Sequence, residues 1–354
     1  MKVLGARSNR HFFIAFALAF VCRAGNEAHG NPYLAKPGEP AVKVRIGACA
    51  ITGGFIHLYA ALDNRLFDKY GISAEHILVR GGAVAMAGLA SDEIHFLYCN
   101  ADSNIVRIGT GADGKLVASP LIGLPYVVLA RKDIKRPADL KGKSIGVTRP
   151  GDFPYRLAKE FLKKFNLSEK EVTLATIGGT PTERYTALMQ DMFQATLIQP
   201  PLDARGRKDG FNILYNLNDL GLPFIYSSLF ANGKTWKERP AVVQKVVAAL
   251  AESIYFVEKN PELAMASVGK TLRMKDPDTL RSAYEAYAKN LINRRMIVPA
   301  KLVAETLDNA REEGTTIRRK PNEIFDNTFV EHLEKSGFMK ELWGGTVPED
   351  RKRS

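Results

Sequence analysis

The passage GLASDEIHFLYCN, Gly88 to Asn100, has a counterpart in ALMQDMFQATLIQ, Ala187 to Gln199. Each carries a Leu, an Asp three residues later, a short apolar run and a terminal side-chain amide. The offset is 99 residues throughout, from Leu89 to Leu188 and from Asn100 to Gln199. A Gly pair precedes each passage, Gly81-Gly82 and Gly178-Gly179. A helix end running into an apolar strand is half of a βαβ unit. A chain that builds it twice is constrained towards two α/β halves with parallel sheets.

The surrounding pattern agrees. VKVRIGA (Val42–Ala48), EHILVR and IHFLY read as strands, separated by the helical spacing of Phe55–Tyr70 and by AVAMAGLA. The alternation resumes at Tyr126 with YVVLAR and SIGV, then the helix DFPYRLAKEFLKKF and the strand VTLATI. TPTE (Thr180–Glu183) combines a capping Thr, a Pro at the first helical position and a Glu at the third. From Glu238 to Phe338 the pattern is almost purely helical. This predicts a linker over 31–41, a first lobe over 42–125, a second over 126–222, a return with C-terminal helices over 223–345, and a basic tail over 346–354. The crossings between lobes are expected near Leu124–Val128 and Pro223–Leu229.

Residues 1–30 differ from the rest. Lys2, Arg7 and Arg10 precede eleven apolar residues, Phe12 to Cys22. That is too short to span a bilayer and suits a signal-peptide core, with cleavage after Ala24 or Gly30 and a periplasmic destination. Bulky Phe20 and Val21 argue against lipid anchoring at Cys22. No other segment reads as transmembrane. The net charge of +12 raises the question of nucleic acid. The Lys and Arg are scattered and form no stripe interleaved with aromatics, so the charge reads as a solvated basic surface with a weak preference for anions.

GTGADGKL (Gly109–Leu116) satisfies G-x-G-x-x-G and nearly the P-loop pattern. Both need a strand before and a helix after, and here the order is reversed, so it reads as a surface turn. The six histidines have no metal-ligand spacing, no G-x-S-x-G elbow is present, and no carboxylates form a convincing acid/base pair. No catalytic residue, cofactor or metal is expected. The two amides are more informative. Asn100 and Gln199 each follow a strand, and open α/β sheets bind ligands beyond the carboxyl ends of their strands. If the lobes face each other, both amides point into the cleft, where each can donate and accept without net charge.

Four stretches carry a family resemblance: LFDKYGISAEHILVRGG, AVAMAGLASDEIHF, ARKDIKRPADLKGKSIGV and GGTPTERYTALMQDMFQATLIQPP. Over Val42 to Glu313 the chain resembles the extracytoplasmic solute-binding proteins of ABC importers, in the nitrate/sulfonate/taurine and NMT1/THI5-like group. The resemblance implies a type II periplasmic-binding-protein fold, with two α/β lobes joined by two hinge crossings and a helical C-terminal region. The ligand would lie between closing lobes. Thr52, Gly53, Gly54 and Phe55, then Gly82 and Ala83, then Asn100, Ala101 and Asp102 should line one wall. Arg149, Gly151 and Asp152, with Gln199 and Pro200, should line the other. Arg149 would hold a carboxylate or sulfonate through two parallel hydrogen bonds. Phe55 would stack on a planar ligand or pack in the core.

The family usually has Gly where this chain has Asp92 and Asp191, and Asp tolerates the left-handed conformation such a position needs. The usual strand order makes the strands ending at Cys49 and Cys99 neighbours. A disulfide at the cleft floor and two buried free thiols are both open readings. The implied function is non-enzymatic: a monomer that captures a small polar or anionic organic solute and delivers it to an inner-membrane ABC permease. The alternatives are an enzyme on the same fold, as in thiamine- or menaquinone-pathway relatives, and a sensor-associated binding protein. The cysteine-rich run of the thiamine-precursor synthases is missing, and an export signal weighs against cytoplasmic enzymes.

Overall fold

The computed structural model describes residues 31–350 apart from residues 80, 178 and 223. The expected signal peptide over residues 1–30, with Cys22, and Gly178, Pro223 and the last four residues of the tail lie outside the described residues.

The first sheet begins with β1 (Val42–Ala48), β2 (Ile72–Leu78), β3 (Phe96–Asn100) and β4 (Lys115–Ala118). The chain then builds a second sheet from β5 (Val127–Ala130), β6 (Ser144–Val147), β7 (Thr173–Thr176), β8 (Ala195–Ile198) and β9 (Asn212–Asn216). It returns to the first with β10 (Ser227–Ala231). The strand orders are β2-β1-β3-β10-β4 and β7-β6-β8-β5-β9. They correspond strand for strand. In each sheet the fourth strand runs antiparallel to its inner neighbour, and each such strand directly follows a passage from the other sheet. The chain crosses once between Ala118 and Val127 and once between Asn216 and Ser227.

The repeated passages form equivalent structures. Helix α3 (Gly82–Ala90) leads into β3 after the helices α1 (Ile56–Asp63) and α2 (Leu66–Lys69). In the second sheet, after α4 (Asp102–Thr110) and α5 (Phe153–Lys164), α6 (Pro181–Met189) leads into β8. Both helices are stopped by the conserved-spacing Asp in a left-handed conformation, Asp92 at φ 64° and Asp191 at φ 58°. An Asp can reach this region at lower cost than most side chains. The strands that follow are apolar because both faces are covered: Phe96 to Cys99 and Ala195 to Ile198 are all buried.

Two expectations are corrected. The apolar spacing of Phe55–Tyr70 predicts one helix, but it breaks between α1 and α2. Asn64 turns its side-chain amide back onto the Ala60 carbonyl, and Arg65 adopts φ 53°. That local bond competes with helix continuation. Further on, α7 (Leu202–Lys208) and α8 (Gly233–Glu238) precede α9 (Pro240–Lys259). Helix α9 has the length and apolar content of a membrane span, which the sequence reading missed. Val246, Val247, Leu250 and Ile254 on it are buried, and it packs on α1 as a core helix.

Candidate functional site

Six strands, β1, β2 and β3 of one sheet and β6, β7 and β8 of the other, end at one cavity. Their carboxyl ends supply Cys49, Ala50, Thr52, Gly81, Asn100, Thr148, Gly179 and Gln199 to its lining. The cavity measures about 70 Å³, several times the ~10–15 Å³ that one water needs on that measure. Its walls are mostly apolar, with Ala50, Tyr126, Phe153 and Pro181 among them.

The first turns of α3, α4, α5 and α6 also reach the lining, through Gly82, Ser103, Phe153 and Pro181. A helix N-terminus carries free N–H groups and a partial positive charge. Gly81, Gly82 and Gly179 belong here: Gly81 at φ 94° and Gly179 at φ 85° turn the chain from strand to helix in a region that favours glycine.

Arg184, on α6, is the charged centre of the site. It is 1% exposed and lines the cavity. Its two terminal nitrogens donate to the backbone carbonyls of Gly179 and Leu197, each at 3.3 Å. Its Nε is buried without a partner. Among the described residues no carboxylate forms an ion pair with it. Burial pulls its pKa down. Gln199 Oε1, Thr148 Oγ1 and Ser103 Oγ are likewise buried without partners. A buried polar group left unpaired costs about 1–3 kcal/mol, and a charge more. Four such groups line one cavity, and a polar ligand is one way to satisfy them.

The lobes touch around this cavity. Gln199 Nε2 donates to Thr52 Oγ1 at 2.9 Å, and the Tyr287 hydroxyl donates to the Pro200 carbonyl at 2.9 Å. Arg107 of α4 pairs with Asp152 at 3.2 Å, and Arg156 of α5 pairs with Asp102 at 2.5 Å. Two ion pairs of opposite sense thus join α4 to the start of α5. Burial pushes the Asp102 carboxyl up, against the pull of Arg156. At the floor, Cys49 and Cys99 are joined by a disulfide between the ends of β1 and β3.

Residues 53–264 match the NMT1/THI5-like family. The chain belongs to the NMT1/THI5-like family. Similar proteins include one of Brucella abortus strain 2308 named only as a binding protein, 26% identical over 254 residues, 70% of this chain and 76% of that one. Among solved structures, the alkanesulfonate-binding protein SsuA of Xanthomonas axonopodis superposes with a TM-score of 0.67 at 17% identity. The match covers 82% of this chain and all of that one. The periplasmic nitrate-binding protein NrtA of Synechocystis PCC 6803 superposes with a TM-score of 0.66 at 11% identity, covering 88% and 92%. These likenesses establish the periplasmic-binding-protein fold.

Within this NMT1/THI5-like fold, the cavity gathers Thr52, Gly82, Asn100, Asp152 and Gln199 of the expected residues. The others go elsewhere. Phe55 is fully buried, edge-on to Tyr98 at 5.1 Å, so it is a core ring. Gly53 and Gly54 serve close packing: a Cβ would lie 2.8 Å from the Pro200 carbonyl at the first and 2.2 Å from the Tyr226 ring at the second. Ala83 is exposed and Ala101 is buried behind the lining. Asp102 faces an adjoining cavity, and Pro200 contributes its carbonyl to the lobe contact. Gly151 is exposed, and Arg149 is an exposed residue at an outer mouth.

Sequence reasoning missed Arg184, Tyr126 and Phe153. For Arg184 a signal was present. In PTERYTALM it sits in the opening turns of a capped helix, where the dipole disfavours a cation, and on the face shared with Tyr185 and Leu188. A cation set against both the dipole and the apolar face is out of place for packing alone, and that misfit is readable in the sequence.

Proposed function

We propose that this chain is the extracytoplasmic solute-binding component of an ABC importer. It captures a small anionic organic solute between its two lobes and hands it to a membrane permease. The family and the fold support a solute-binding role, and the apolar signal-like run of residues 12–22 supports export. The observation that carries the anionic reading is Arg184, a buried guanidinium that lines the cavity and has no ion-pair partner among the described residues. The four helix N-termini add positive potential at the same place. A carboxylate or sulfonate accepts from a guanidinium by charge-assisted hydrogen bonds, and the apolar walls suit an organic body.

The test is a thermal-shift screen of the protein starting at Asn31, against sulfonates, aromatic carboxylates, nitrate and uncharged pyrimidines. A ligand at a hundred times its Kd stabilises by about 2.7 kcal/mol. Anions that raise the melting temperature, lose that effect in Arg184→Met and are recovered unchanged support the reading. A hit consumed during incubation overturns the carrier role. Hits confined to uncharged compounds overturn the anionic one.

A further inference from the structure

The ring of Phe153 stands between two cavities. It lines the inner one, with Arg184, and it also lines an outer one of about 480 Å³. Among the described lining residues it is the one they share. On the outer side its ring stacks on Phe224 at 4.0 Å and 15°. On the inner side it meets Tyr126 at 5.6 Å in an edge contact. Tyr126 lines only the inner cavity and Phe224 only the outer. Phe153 is the first residue of α5, while Tyr126 and Phe224 lie in the two crossing segments, so the ring also joins the second lobe to the hinge. The outer cavity has apolar surface from Leu124, Leu157 and Leu222, beside charged Arg156, Glu160 and Glu313.

We propose that Phe153 sets the length of the solute this site accepts. Its ring forms an aromatic partition that stops a ligand anchored on Arg184 from extending into the outer cavity. Without the ring, that cavity becomes a subsite for an alkyl tail, bounded by the leucines. The inference rests on the anionic reading of Arg184 for its anchor. It adds a residue that selects among anions by length.

The experiment titrates the protein, Phe153→Ala and Phe153→Leu with ethane-, butane-, hexane- and octanesulfonate by calorimetry. Circular dichroism checks that each variant is folded. Phe153→Leu keeps an apolar side chain at this position should the smaller residue unfold α5. The unsubstituted protein is expected to favour the short members. Phe153→Ala should gain at least tenfold for octanesulfonate relative to ethanesulfonate, with Phe153→Leu between them. Parallel length profiles in all three proteins overturn the partition. Binding of no sulfonate by any of them counts against the anchor on Arg184, and a second readout then decides the partition alone. The Cys49–Cys99 disulfide lines the inner cavity. Its reduction by dithiothreitol should run at least fivefold faster in folded Phe153→Ala, and an unchanged rate overturns the proposal.

Discussion

The two lobes share a strand order, a left-handed Asp and a Gly turn, yet they bring different chemistry to the cleft. Ala85 occupies in the first lobe the place that Arg184 occupies in the second, 99 residues on. Cys99 corresponds by the same offset to Ile198, so only the first lobe closes its floor with a disulfide. Asn100 is partly exposed, whereas Gln199 is buried and reaches across to Thr52. The first lobe is a braced floor and the second carries the charge. Equal backbones therefore say where a ligand goes. The positions at which they differ set the chemistry of the cavity wall.

The largest expected effect concerns the brace. The disulfide spans a sequence separation of 50 residues, and loop-closure entropy puts its contribution at about 4 kcal/mol. Replacing both cysteines by Ser should lower the denaturant midpoint by a corresponding amount. Hydrogen exchange should localise the loss to β1 and β3. Loss spread equally over β6 and β8 would break the distinction between the lobes.

The charge comes next. Arg184→Met should weaken anion binding at least a hundredfold, about 2.7 kcal/mol. The same change should leave the ligand-free protein as stable or more so, because an unpaired buried charge is removed. Calorimetry and a melting curve read the two halves. A large drop in ligand-free stability would make Arg184 a structural residue.

Acid should act on the first lobe. The second lobe, 126–222, contains no histidine. His57 of α1 is fully buried with both ring nitrogens unpartnered, and burial lowers its pKa to about 3. The unfolded chain binds its proton near pH 6.5. Stability is then full above pH 6.5 and falls towards pH 3, by up to about 1.4 kcal/mol per pH unit from this group. His57→Phe should flatten that part of the pH profile. An unchanged slope would assign the acid sensitivity elsewhere.

The smallest effect compares the two left-handed Asp residues. Asp191 is exposed and meets Arg131 at the surface, where such a pair contributes little. Asp191→Gly should raise stability by up to about 0.5 kcal/mol, as relief of the backbone is partly offset by unfolded-state entropy. Asp92 accepts a hydrogen bond from Asn232, which is buried, so Asp92→Gly should gain less or lose. Chemical denaturation of the pair decides whether the two stops are equivalent.

The paired passages made both sheets and their cavity-facing ends legible, because strand and helix periodicity are local properties. They also pointed to Asn100, Gln199, Gly81, Gly82 and Gly179, all at the cavity, since a position just past a strand can be read from its neighbours. Arg149 drew notice because RPGD advertises a loop, and it stands exposed at an outer mouth, whereas Arg184, which lines the cavity, sits inside a regular helix. Phe55 looked available because it follows two glycines, yet those glycines bring Pro200 and Tyr226 so close that the segment is packed in.

The sequence by itself determined the alternation of strands and helices, the two halves and the strand ends that meet at the cavity. These follow from hydrophobic period and turn chemistry within a few residues. Only the tertiary structure decided that Arg184 is buried at the cavity, that Cys49 meets Cys99, and that one ring divides two cavities. Each depends on which distant segments close over a side chain. Desolvation and contact are set by that closure and leave no mark in local sequence.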